Sequence, residues 1–170
     1  MPRSSCASKT PREKRSGFGR FRGGRDSINY HSSAVSSFIT FFYCEVDINR
    51  NEVAYVNAGH NPPLVLRTDG SLEKLEGTGF CLGMFSGAVY ETKTVQLRRG
   101  DILLLYSDGI PESRNAEGAE YAMDRLISLL RCSAHLTAAG IAAAVTGDAK
   151  SFIRGAQQGD DQTLVVIKRT

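Results

Sequence analysis

The sequence predicts an α+β layered domain with mostly antiparallel sheets. Three observations predict it. Short alternating segments follow one another from Phe38 to Ser107, two amphipathic helical stretches come next, and an apolar strand closes the order at Thr163–Lys168. The length of 170 residues suits one domain, and 41% apolar with 23% charged residues is ordinary for a globular chain.

The front end differs from the rest. Residues 1–35 hold eight Lys/Arg against Glu13 and Asp26, a net of +6. A chain total of +3 therefore leaves −3 for the remainder. Ser, Arg and Gly dominate this stretch and no period is visible, so residues 1–37 are expected to be a basic, disordered segment. Beyond Phe18 and Phe21 the arm has no interleaved aromatics, which argues against specific nucleic-acid binding.

From Phe38 the text becomes aromatic and β-branched. Phe38–Asp47 and Glu52–Asn57 read as a hairpin about the turn at residues 48–51. Ala58–Pro63 (AGHNPP) is a loop, because its glycine and prolines forbid regular pairing. Leu64–Arg67 and Leu72–Leu75 flank Asp69-Gly70, a second hairpin signal. Val89–Leu97 alternates, and Arg99-Gly100-Asp101 turns the chain into a buried strand at Ile102–Ser107.

The first helix is expected over 121–131, with Met123, Leu126, Ile127 and Leu130 on one face. Thr137 is a plausible N-cap for the second, over 138–150, where Ile141, Val145 and Ala149 share a face. No apolar run reaches the roughly 18–20 residues of a membrane helix, so no membrane partner is expected. Cys6, Cys44, Cys81 and Cys132 are widely and irregularly spaced. They fit reduced thiols in a cytoplasmic protein better than a disulfide or zinc framework.

Two acidic sites could carry chemistry. Ser107-Asp108-Gly109 ends a buried strand, where a rigid backbone fixes the carboxylate and the glycine lets a ligand approach. Gly159-Asp160-Asp161-Gln162-Thr163 precedes the last strand, and its adjacent carboxylates repel unless solvated or bound to a cation. If the two strands are neighbours, Asp108 and Asp160 converge as oxygen ligands for Mg²⁺ or Mn²⁺. Asp-Gly is also a common turn and an Asp pair a common solvated loop, and spacing alone leaves that reading open. His60, in its Gly/Pro loop, faces a cleft or merely caps a turn.

These segments resemble the SpoIIE-like branch of the PPM (protein phosphatase 2C-like) serine/threonine phosphatases. The matching strings are FITFFY, YVNAGHNPPL (55–64), GFCLG (79–83), LRRGDILLLYSDGIPESRN (97–115), EGAEY (117–121) and GDDQTLVVI (159–167). They stand in the family's order. The resemblance implies an αββα sandwich with two Mn²⁺ or Mg²⁺ ions, and a phosphatase domain over 38–170. Asp108 and Asp160 would be its catalytic metal ligands, Gly109 and Asp161 their neighbours in the motifs, and His60 a residue bordering the substrate. It further implies a phosphorylated regulatory protein as substrate, such as an anti-anti-sigma factor in partner switching.

One departure bears on activity. The family begins with a G-D-x-x-D-like segment whose Asp bridges both metals, and nothing in residues 1–37 matches it. The sandwich is therefore expected to lack part of its N-terminal strands and helices, as a truncated or frame-shifted front would produce. An impaired remnant that still binds a protein partner is the alternative to an active phosphatase.

Overall fold

The computed structural model describes residues 38–85 and 88–170, so the expectation for residues 1–37 lies outside it. The described chain runs β1 (Phe41–Asp47), β2 (Glu52–Ala58), β3 (Leu64–Leu66), β4 (Leu72–Lys74), β5 (Lys93–Gln96), β6 (Ile102–Tyr106), α1 (Met123–Cys132), α2 (Ala138–Phe152) and β7 (Leu164–Lys168). These strands form two sheets, β1-β2-β5 and β4-β3-β6-β7, and every pairing between them is antiparallel. This is the expected α+β architecture.

Strand alternation builds two cores on the faces of the four-stranded sheet. Leu64, Leu66, Ile102, Leu104 and Tyr106 face the helices, where Leu126, Leu130, Ile141, Val145 and Ala149 cover them. Val65 and Leu103 point the other way and meet Val53, Tyr55 and Val95 of the three-stranded sheet. Among the described residues, no helix lies on the outer face of that second sheet. Val56 and Ala58 there are covered by Tyr90, with Leu82 and Ala88 beside it. Phe38, Ile39, Phe80, Met84 and Phe85 remain exposed. The described residues thus supply one helical layer and two sheets of the four-layer sandwich. None of their helices is long and apolar enough to cross a membrane. Cys44, Cys81 and Cys132 are free thiols.

Three elements start two or more residues later than the sequence reading places them. β1 starts at Phe41, because Ile39 instead makes a single bridge to Leu82. β5 shrinks to Lys93–Gln96, because Tyr90 folds onto Val56 and Ala58 while Val89 is left exposed. α1 begins at Met123, because Ala122 sits at φ 66°, ψ 154°, outside helical space. L-residues adopt that region at a cost of about 1–3 kcal/mol. Bonds on both sides hold it: Ala122 N–H donates to Pro111 O (2.8 Å) and Tyr121 N–H to Ser113 O (2.8 Å). Ala122→Gly should therefore stabilise the domain by about 1 kcal/mol after the entropic cost of glycine. Urea unfolding reads this, and a destabilised variant would show that Ala122 is unstrained.

A polar clamp joins the helices. Asp148 of α2 accepts from Tyr121 Oη (2.7 Å) and from Arg125 Nε and Nη2 (2.8 and 2.9 Å). The Arg125 guanidinium lies 4.9 Å from the Phe152 ring centroid and 5.2 Å from that of Tyr121. Arg125 holds the Asp148 carboxyl below its ordinary range, and burial, with the Asp148 hydrogen bond, pushes the Tyr121 phenol up.

Candidate functional site

β6 and β7 are neighbours, paired in register from Ile102↔Lys168 to Tyr106↔Leu164. That pairing brings the Ser-Asp-Gly turn after β6 against the Asp-Asp-Gln-Thr segment before β7. Ser107 joins them: its N–H donates to Thr163 O (3.0 Å), and its hydroxyl accepts from Thr163 N–H (2.9 Å) and donates to Asp161 O (3.0 Å). Gly109 sits directly against the Asp160–Asp161 peptide, where a Cβ would collide with the Asp161 carbonyl. Only glycine allows that approach.

Gln162 closes the junction from the other side. Its amide donates to Gly109 O (3.2 Å) and Ser113 Oγ (2.8 Å), and the Ser113 hydroxyl donates to Gly109 O (2.6 Å). The Gly109 carbonyl thus takes two donors. Each carboxylate is oriented by the next residue's amide: Gly109 N–H donates to Asp108 Oδ1 (3.0 Å) and Asp161 N–H to Asp160 Oδ1 (2.7 Å). The second oxygen of each stays outside these bonds. Beside the junction lies a cavity of about 370 Å³, lined by Gly109, Glu112, Ser113, Arg114, Gln157, Gly159 and Asp160. Arg114 also reaches Glu120 (3.3 Å) and Gly118 O (3.4 Å).

Asp108, Gly109, Asp160 and Asp161 are therefore brought together. His60 is at the same end of the sandwich, since the Tyr106 hydroxyl donates to Pro62 O (3.2 Å) in the His60 loop. Its own bonds run elsewhere, from its N–H to Asn57 Oδ1 (2.8 Å) and between its Nδ1 and Thr40 Oγ1 (3.4 Å). Ser107, Ser113, Gln162 and Arg114 escape the sequence reading. All four lie inside the motif strings, but nothing in spacing says that the Ser107 and Gln162 side chains bond backbone more than 50 residues away.

The donor set suits a hard cation: carboxylate oxygens, with no thiol or imidazole. Among the described residues, no three His, Cys, Asp or Glu side chains group to hold a metal. Two carboxylates of this kind would hold at most one such ion, with water completing its shell.

The family model described as Stage II sporulation protein E (SpoIIE) matches residues 25–170. Protein IcfG of a Synechocystis species is 27% identical over 145 residues, which are 85% of this chain and 23% of that protein. Phosphoserine phosphatase RsbU of Bacillus subtilis is 31% identical over 138 residues, 79% of this chain and 40% of that protein. The chain thus spans less than half the length of these curated relatives. Among solved structures, the SiaA-PP2C domain of Pseudomonas aeruginosa superposes with a TM-score of 0.68 at 20% identity. That match covers 83% of this chain and 56% of that one, and it shows the shared fold.

Proposed function

We propose, because this chain belongs to the SpoIIE family in the PPM branch of phosphatases, that its site serves the hydrolysis of phosphoserine or phosphothreonine on a regulatory protein. A partner-switching protein of the anti-anti-sigma type is the substrate that the similarity to phosphoserine phosphatase RsbU favours. One observation carries the reading: the Ser-Asp-Gly turn and the Asp-Asp-Gln-Thr segment lie in backbone contact at one end of the sandwich.

In this reading Asp108 and Asp160 hold Mn²⁺ or Mg²⁺. When bound, such a cation lowers the pKa of its water and offsets charge on the phosphoryl oxygens. The chain's own residues set the frame. Ser107 and Gln162 fix the spacing of the two motifs, and the amides of Gly109 and Asp161 aim the carboxylates. Arg114 brings a positive charge to the wall of the adjoining cavity, where a phosphate would need one. His60 borders the same end of the domain.

The two-carboxylate donor set favours a second reading as well, in which the chain as given docks the partner but turns over weakly. A second cation beside the first would need a further carboxylate to offset the repulsion between them. We expect little Mn²⁺-dependent hydrolysis of a phosphoserine peptide by this chain. Joining a G-D-x-x-D segment to its front should raise turnover by at least about 100-fold, by placing the attacking water. Asp108→Asn should abolish the gain. Equal turnover with and without the segment would overturn this account.

A further inference from the structure

The closest backbone approach in the junction is made by Gly109, whose missing Cβ lets it lie against the Asp161 carbonyl. The same missing Cβ removes the steric restriction that fixes the dihedrals of other residues. Yet the Gly109 amide aims Asp108, through its bond to Asp108 Oδ1 (3.0 Å). That aim holds only while something else fixes the Gly109 dihedrals.

Ser113 does so. Its buried hydroxyl donates to Gly109 O (2.6 Å) and accepts from Gln162 Nε2 (2.8 Å), and Gln162 Nε2 also donates to Gly109 O (3.2 Å). Carbonyl, hydroxyl and amide close a ring of three bonds across both motifs, in which each partner orients the other two. The Ser113 backbone is anchored in turn. Its carbonyl accepts from Tyr121 N–H (2.8 Å), and the Tyr121 hydroxyl donates to Asp148 of α2 (2.7 Å). Tyr121 is 2% exposed and packs within the core between the four-stranded sheet and the helices. Ser113 therefore stands between the Asp108 turn and the helical layer.

We propose that Ser113 is a positioning residue for the cation carboxylates. It holds the Gly109 dihedrals that aim Asp108 and, through Tyr121, refers that aim to the helical layer. This rests on the reading in which Asp108 and Asp160 hold Mn²⁺ or Mg²⁺. The test measures Mn²⁺ uptake by the full chain without substrate, from the electron paramagnetic resonance of the free ion. The unmodified chain should bind Mn²⁺, and Asp108→Asn should lose that binding. Ser113→Ala should weaken it about tenfold, the lower end of the range for partners that orient metal ligands. Gln162→Leu should weaken it as well, and the double variant should lose less than the product of the two, because both side chains act on one carbonyl. Asp101→Asn lies before β6, at the other end from Asp108, and touches no member of the ring. It should leave Mn²⁺ affinity unchanged, which separates positioning from a general loss of stability. Circular dichroism confirms that each variant is folded. No uptake by the unmodified chain, or equal uptake by Asp108→Asn, would remove the cation reading and this proposal with it. Uptake that depends on Asp108 but changes less than about threefold in Ser113→Ala, or falls as far in Asp101→Asn, would overturn the proposal alone.

Discussion

Asp101→Ala is expected to destabilise the domain by about 3 kcal/mol, the lower part of the range for breaking a buried charge pair. The Asp101 carboxylate serves three donors at once, the Arg67 guanidinium and the amides of Arg98 and Thr68. It ties the turn before β6 to the end of β3. Removing it strands two backbone amides in a site from which water is nearly excluded, and such orphaned donors cost more than the bonds themselves are worth. Arg67 keeps Glu73 and Gln96 O, which limits the loss. Asp101→Asn should fall between the two proteins, since its carbonyl still accepts while its charge is gone. Chemical denaturation with an unchanged slope gives the difference. A loss under 1 kcal/mol would show that the turn does not depend on this carboxylate.

Gly109→Ala is expected to damage the site more than the fold. Its Cβ would meet the Asp161 carbonyl, and the Asp161 carbonyl carbon would lie only 3.0 Å away. Backbone cannot rotate aside as a side chain can, so the Ser-Asp-Gly turn and the Asp-Asp segment must separate. Overpacking of this kind costs about 1–3 kcal/mol. A displacement of about 1 Å at reacting groups costs on the order of 100-fold in rate. In the chain carrying the G-D-x-x-D segment, turnover should fall by that order while the far-ultraviolet circular dichroism stays the same. Full turnover would mean that the contact between the two motifs is not what positions Asp108 and Asp160.

The sequence made the strands and helices legible wherever one face of an element decides its place. The alternation of Glu52–Asn57 and the spacing of Leu126, Leu130, Ile141 and Val145 each name a buried face, and those faces are the ones buried. It misled where a local preference was overridden. Alanine favours helix, yet Ala122 is held outside helical space by bonds to a loop that no periodicity reveals. Val89–Leu97 alternates like a strand, but Tyr90 gains more by covering Val56 and Ala58. At the site, Asp108 and Asp160 stand out because charge beside an apolar strand is conspicuous. The hydroxyl of Ser107 and the amide of Gln162 are ordinary polar groups in the sequence, and their importance exists only once β6 and β7 are paired.

That pairing has a consequence for the order of events in folding. Ser107 and Thr163 are 56 residues apart, and the segment between them contains both helices. The β1–β2 and β3–β4 hairpins close over short loops and can form early, whereas the β6–β7 ladder must first close a long one. Asp108 and Asp160 thus meet only in a chain whose helical layer has already docked or docks with them. On the proposed reading, partly folded molecules with well-formed hairpins would lack the paired carboxylates, and cation affinity would report the completed topology rather than local structure.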